Sequence, residues 1–160
     1  MLPRPLRRPV AWVSRTRLFR RFGPAVMPSL ERGFSRVGGG RSPISGLAVP
    51  SLVLHTTGAR TGEPRRSALM YCPAPDGAMI VTGSNFARPE HPAWTGNLLR
   101  HPRAEVELDG RRIPVTARLV PPEEREEVWR LLEENWPGYR GYERSSGREL
   151  RIFRLIPDGP

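Results

Sequence analysis

From Ala104 to Val120, apolar and polar residues alternate on both sides of Asp109-Gly110. Val106 and Leu108 precede the dipeptide, and Ile113, Val115, Ala117 and Leu119 follow it at every second position. A period of two on either side of Asp-Gly predicts two antiparallel strands joined by a tight turn. That hairpin constrains everything around it, because its apolar face must be covered by further strands or by a helix. The rest of the sequence supplies both. Ser51–His55, Ala68–Cys72, Met79–Gly83 and Ile152–Ile156 read as short strands, and Pro73–Gly77 reads as a turn. Pro92–Arg100 reads as a short helix, with proline at its start and His101-Pro102 at its end. A second helix opens at Pro121-Pro122. Glu123, Glu124, Glu126 and Glu127 crowd its first turns, where the helix dipole favours acids. Val128, Trp129, Leu132 and Trp136 form its apolar stripe, and Pro137-Gly138 stops it. Short strands and tight connections predict an α+β fold: about six mostly antiparallel strands curled into a small barrel, with helices packed against it.

The charge is unevenly distributed. The chain has 160 residues and a formal net charge of +10, and all 26 of its basic residues are arginine. Residues 1–50 carry ten arginines and one acid, Glu31; residues 51–160 carry sixteen arginines and fifteen acids. A basic arm over residues 1–45 therefore precedes a near-neutral domain over residues 46–160. Within the arm, Ala11–Phe22 reads as a helix with Trp12, Leu18, Phe19 and Phe22 on one side. Val26, Leu30, Phe34 and Val37 share a second face, ended by Gly38-Gly39-Gly40. Residues 11–37 suit peripheral docking on an anionic membrane surface, and equally suit packing against the domain. A nucleic-acid partner is not expected, because the domain behind the arm is nearly neutral. The single cysteine, Cys72, excludes an internal disulfide, and no apolar run approaches the roughly 18 residues of a membrane span. The expected location is cytoplasmic, or peripheral on the inner face of the cell membrane.

Conventional catalytic groups are missing. His55, His91 and His101 are scattered without paired ligands, so no metal site is expected, and no G-x-S-x-G occurs. Hard chemistry would need a cofactor. Two stretches stand out. Thr56–Ser67 reads TTGARTGEPRRS. Gly58 and Gly62 permit a tight loop with backbone N–H groups facing an anion, the threonines add hydroxyls, and Arg60, Arg65 and Arg66 add guanidinium forks. A plain basic hairpin loop fits the same residues. Thr82–Asn97 reads TGSNFARPEHPAWTGN. Its strand-end Ser84 and Asn85 suit hydrogen bonds to a planar ring beside Trp94, but the residues alone favour a core tryptophan with a capping loop.

Four motifs, in order, resemble the deazaflavin-dependent nitroreductase family. They are T-T-G-x-R-T-G-x-P-R at Thr56–Arg65, the strand end at Val81–Asn85, H-P-A-W-x-x-N-L at His91–Leu98, and P-G-Y-x-x-Y at Pro137–Tyr142. Gly147–Glu149 also fits, and the likeness runs from about Gly46 to Pro157. It implies a split β-barrel of the FMN-binding type that uses coenzyme F-420, an 8-hydroxy-5-deazaflavin with a phosphate and a glutamyl tail. By that resemblance Ala59, Arg60 and Thr61 meet the phosphate and tail. Arg65, Arg66, Ser67, Ala68, Leu69 and Met70 continue along the cofactor. Thr82, Gly83, Ser84 and Asn85, with Ala93, Trp94, Thr95, Gly96 and Asn97, line the ring. Tyr139 is the implied catalytic residue, and Trp136 and Tyr142 join it in walling the acceptor pocket. Ala59, Met70 and Trp136 depart from residues common in the family.

The implied activity is hydride transfer from the reduced deazaflavin to an electron-poor acceptor: a quinone, held in the membrane or free, an activated alkene or a nitroaromatic. An FMN-using enzyme on the same barrel is the alternative, as is a non-catalytic module that binds the cofactor or docks on membranes.

Overall fold

A computed structural model describes residues 50–159. The arm expected over residues 1–45, its helices within 11–37 and the boundary at 46 lie outside the described residues. In chain order the elements are β1 (Ser51–Thr57), β2 (Pro64–Met70), β3 (Cys72–Pro73), β4 (Met79–Thr82), α1 (Ala93–Arg100), β5 (Arg103–Leu108), β6 (Arg111–Leu119), α2 (Arg125–Asn135), α3 (Gly141–Ser146) and β7 (Ile152–Pro157). Short 3-10 turns occupy Asn85–Ala87 and Pro122–Glu124.

All seven strands pair antiparallel in one sheet, in the order β2-β1-β5-β6-β7-β4-β3. The sheet curls until β2 touches β4. The hairpin at Asp109-Gly110 sets its centre. Leu108 pairs with Arg111, and both turn residues are left-handed, Asp109 at φ 50 and Gly110 at φ 76. That geometry matches the right-handed twist of the flanking strands.

The curl divides the core in two. Inside it, Leu52, Leu54, Val81, Val106, Val115, Phe153 and Leu155 pack with Trp94 and Leu98 of α1. On the opposite face of the β4–β7 end, Ile80 and Ile152 meet Val128, Trp129 and Leu132 of α2. Trp136 stands just past the end of α2, half-buried against that second cluster.

Ala68–Cys72, read as one strand, splits into the end of β2 and the separate short strand β3 paired with β4. That makes seven strands among the described residues rather than about six. Two further elements differ from what the sequence predicts. Glu63–Arg66 reads as loop, yet Pro64–Met70 is a continuous strand paired with all of β1. It is an edge strand exposed along most of its length, so it carries no apolar alternation to betray it. Its arginines make it a poor template for another chain. The second is α3, six residues with none buried and no apolar stripe of its own.

Candidate functional site

Helix α1 joins the two informative stretches. At its C-terminal half, the Asn97 amide bridges backwards. Its Nδ2 donates to Thr56 Oγ1 at 3.0 Å, and its Oδ1 accepts from the Ala59 N–H at 2.9 Å. Two residues earlier, Thr95 is fully buried, donates to the Pro92 carbonyl at 2.8 Å and accepts from Arg151 Nη1 at 3.2 Å. Gly83, which follows β4, lies directly on Thr95. A Cβ there would stand 2.8 Å from the Thr95 methyl and 3.3 Å from the Arg151 carbonyl. Trp94 is a core residue, 6% exposed, its ring 5.8 Å from that of Phe153.

The loop between β1 and β2 is tightly self-bonded. Gly58 donates to the Glu63 carbonyl at 2.8 Å, Gly62 to the Gly58 carbonyl at 2.9 Å and the Glu63 N–H to Thr61 Oγ1 at 3.3 Å. Gly62 is left-handed, at φ 70. With Ala59 held by Asn97, only the Arg60 and Thr61 amides of this loop have no acceptor among the described residues. The loop therefore offers two free amides and its guanidinium groups, not the full ring of N–H groups that its glycines lead one to expect.

Strand geometry separates the arginines. Partners in an antiparallel pair project from the same face. Arg65 pairs with buried Thr56, and Arg66 pairs with His55 on the other face. Arg65, Ser67 and Leu69 thus share the inner face. Arg66, Ala68 and Met70 face away from it, Met70 being 44% exposed. Arg65 Nη2 donates to Thr61 Oγ1 at 3.4 Å, tying it to the loop. Neither Arg60 nor Arg66 is taken up by an ion pair among the described residues.

At the other end of α1 the strand-end residues meet the aromatic cluster. Tyr139 lies 5.7 Å from Trp136, 5.4 Å from Tyr142 and 6.3 Å from Trp129, ring centre to ring centre, all tilted. Its ring keeps some exposed surface, but burial around the hydroxyl pushes the phenol up to about 12; a hydrogen bond with the Ser84 side chain pulls the other way, and Tyr142 adds to the rise. The Thr82 hydroxyl acts on Tyr139 more weakly still, and its oxygen is buried without a partner in good hydrogen-bond geometry. Three successive non-glycine residues, Asn85, Phe86 and Ala87, are left-handed at φ 45, 53 and 60. That conformation costs roughly 1–2 kcal/mol per residue, so its surroundings must impose it.

Glu133 holds Tyr139 from behind. Its carboxylate accepts from the Gly138 N–H at 2.7 Å and the Arg140 N–H at 2.6 Å, fixing the backbone on both sides of the tyrosine. Glu133 is not among the residues that the motifs pick out. The one signal in the sequence is an acid near the C-terminal end of a helix, where the dipole opposes it and another partner is needed.

Comparison with known proteins decides between the candidate readings. Residues 33–157 match the model of a family described as F420H(2)-dependent quinone reductase. The chain is 36% identical over 112 residues to a protein of that name from Mycobacterium tuberculosis, covering 68% of this chain and 74% of the relative. It belongs to the F420H(2)-dependent quinone reductase family. A solved F420-H2 dependent reductase, FDR-A, superposes with a TM-score of 0.59 at 32% identity, over 66% of this chain and 93% of that one. A second structure, described as a domain-swapped dimer, gives 0.60 at 29% identity, over 81% and 96%.

As a member of this family the chain is a coenzyme F-420-dependent oxidoreductase with the split-barrel fold. The residues present fit that group. Arg60, Arg65 and two unpartnered amides would suit its anionic phosphate and tail, and the buried Thr82 hydroxyl, which has no partner in good hydrogen-bond geometry, would suit a polar ring edge. The described residues contain no group of three or more His, Cys, Asp or Glu placed to hold a metal ion. Cys72 is a core thiol: burial and Glu134 push it up to about 11, and its sulfur accepts from Asn135 Nδ2 at 3.0 Å.

Two predictions concern the supports of this reductase. Gly83→Ala is expected to destabilise the fold by about 1–3 kcal/mol through the clash with the Thr95 methyl. Adding Thr95→Ser, which removes that methyl but keeps the hydroxyl, should recover most of the loss in urea-unfolding midpoint. Glu133→Gln leaves one of the two amides beside Tyr139 facing a donor. It is expected to lower kcat about tenfold while cofactor affinity stays unchanged in a fluorescence titration.

Proposed function

We propose that the protein reduces a quinone with reduced coenzyme F-420, and that Tyr139 supplies the proton. When bound, the reduced deazaflavin supplies a hydride from C5 of its ring. Arg60, Arg65 and the Arg60 and Thr61 amides hold its phosphate and tail. Thr82, Gly83 and Ser84 meet the ring edge, with α1 behind them. Trp136, Tyr139 and Tyr142 would wall the place where a quinone is received. Hydride addition leaves negative charge on the acceptor oxygen, and the Tyr139 hydroxyl donates the proton that completes the hydroquinone. The observation that carries this reading is the Tyr139 hydroxyl: buried, still protonated at neutral pH, and beside Ser84 at the end of β4. A quinone is favoured over a nitroaromatic or an activated alkene by the family's name and by the apolar, aromatic wall, which suits a flat, electron-poor ring.

The membrane is part of the same proposal. The basic amphipathic pattern of residues 11–37 brings the chain to an anionic inner-leaflet surface, where an apolar quinone would partition. No helix among the described residues is long and apolar enough to cross a membrane. Titrating the full chain with coenzyme F-420 and with FMN, read by fluorescence quenching, tests the cofactor end. Saturable quenching of the deazaflavin with little response to FMN is expected. Sedimentation with vesicles tests the arm, which should favour phosphatidylglycerol over neutral lipid and lose that preference at high salt.

A further inference from the structure

The left-handed run at Asn85–Ala87 begins at the last of the residues assigned to the ring, Thr82–Asn85, and its own hydrogen bonds are few. The Ala87 N–H donates to the Ser84 carbonyl at 2.9 Å, the Arg88 N–H to the Asn85 carbonyl at 3.1 Å, and Asn85 Nδ2 to the Glu90 carbonyl at 2.8 Å. These bonds are local and do not by themselves fix the run against the rest of the chain. From elsewhere, the Arg151 carbonyl accepts from the Gly83 N–H at 2.8 Å and Tyr139 bonds the Ser84 side chain, and one guanidinium bonds the backbone carbonyls on both sides of the run. Arg148 follows Gly147, whose left-handed backbone, φ 67, ends α3 and turns the chain back towards β7. Arg148 Nη2 donates to the Gly83 carbonyl at 3.0 Å and the Ser84 carbonyl at 3.2 Å. Nε donates to the Arg88 carbonyl at 3.1 Å, and Nη1 meets His91 Nδ1 at 3.0 Å. One guanidinium thus bonds the backbone on both sides of the left-handed run, at Gly83 and Ser84 before it and at Arg88 after it.

The electrostatics suit a permanent clasp. His91 must be neutral to accept at Nδ1, and burial, Arg151 and Arg148 all hold it below the usual histidine range. Burial and Arg151 lower Arg148 as well, and Glu90 pulls the other way. An arginine partly withdrawn from water to bond three carbonyls and a ring nitrogen, rather than a carboxylate, is spent on backbone geometry.

We propose that Arg148 is a positioning residue for hydride transfer. It imposes the left-handed Asn85–Ala87 conformation and so sets Gly83 and Ser84 against the ring and against Tyr139. This rests on the reading that Thr82–Asn85 line the ring. It assigns Arg148 no contact with cofactor or acceptor.

The test uses the full chain with R148A and R148K, each with and without A87G. Amide hydrogen exchange is read first, without cofactor. R148A should speed exchange at Ala87 and Arg88 about tenfold or more and leave the β4 and β7 amides protected. With coenzyme F-420 and menadione, kcat should fall about tenfold or more while the cofactor dissociation constant, set by Arg60 and Arg65, barely moves. R148K should not rescue, because an ammonium cannot fork to acceptors spread over the segment. R148A/A87G should recover part of kcat, because glycine adopts the left-handed backbone without help. If R148A does not fold, R148K carries the same readouts. Unchanged exchange at Ala87 and Arg88, or full rescue by lysine, overturns the proposal. Faster exchange with kcat intact overturns the role in turnover, and traces the failure to the ring-lining assignment rather than to the clasp.

Discussion

Tyr139→Phe is expected to lower kcat about 100-fold or more while leaving affinity for coenzyme F-420 within roughly threefold. The substitution removes one oxygen and nothing else. The ring keeps its contacts with Trp129, Trp136 and Tyr142, and Glu133 still holds the backbone on either side. The lost group is the one proposed to give up a proton as negative charge develops on the acceptor. Its pH signature is also fixed. A phenol raised to about 12 keeps its proton at neutral pH, so activity that depends on the acid form is present below about 12 and lost above it. The kcat profile of the natural enzyme should therefore show no basic limb from this group between neutrality and the alkaline unfolding range. Rapid-mixing kinetics with menadione and an F-420 titration of the variant check both parts. Equal loss of turnover and of cofactor affinity would remove the proton-donor role.

The second large effect belongs to the anion end. Replacing Arg60 and Arg65 together by alanine should weaken coenzyme F-420 binding about 100-fold, with kcat at saturating cofactor little changed. Charge-assisted bonds to a phosphate and a glutamyl tail are made equally in ground and transition states, so their loss shows as affinity and not as rate. Arg66→Ala is the informative control. It removes the same charge two residues from Pro64, yet Arg66 pairs with His55 on the opposite face of the sheet, so cofactor binding should be nearly unchanged. A loss for Arg66→Ala as large as for Arg65→Ala would mean that the cofactor does not follow the inner face of β2.

These two expectations show what was legible in the sequence. The hairpin at Asp109-Gly110 was, because both residues of its turn need left-handed backbone and the flanking alternation has one buried face. The stripe of α2 was, because Val128, Trp129 and Leu132 recur at helical spacing and are buried. The family was, because glycines, arginines and a tryptophan recur in order along the chain. Strand β2 was not: an exposed edge strand is stabilised by its pairing with β1, and nothing in PRRSALM marks it. For the same reason Arg60, Arg65 and Arg66 read as one cluster, although strand geometry sends Arg65 and Arg66 to opposite faces. The supports were also hidden. Asn97, Glu133 and Arg148 act on residues 38, 5 to 7 and 57 to 65 positions away, and only the folded chain brings those partners together.

The central claim is that this barrel passes a hydride from reduced coenzyme F-420 to a quinone beside Tyr139. Anaerobic single-turnover oxidation of stoichiometric reduced F-420 by menadione tests it most directly, with the cofactor carrying either hydrogen or deuterium at C5. The account predicts rapid return of the oxidised deazaflavin absorbance, one hydroquinone formed per cofactor, and a primary isotope effect in the natural enzyme. Oxidation no faster than in free solution, or equally fast turnover when FMN replaces the deazaflavin, would contradict it.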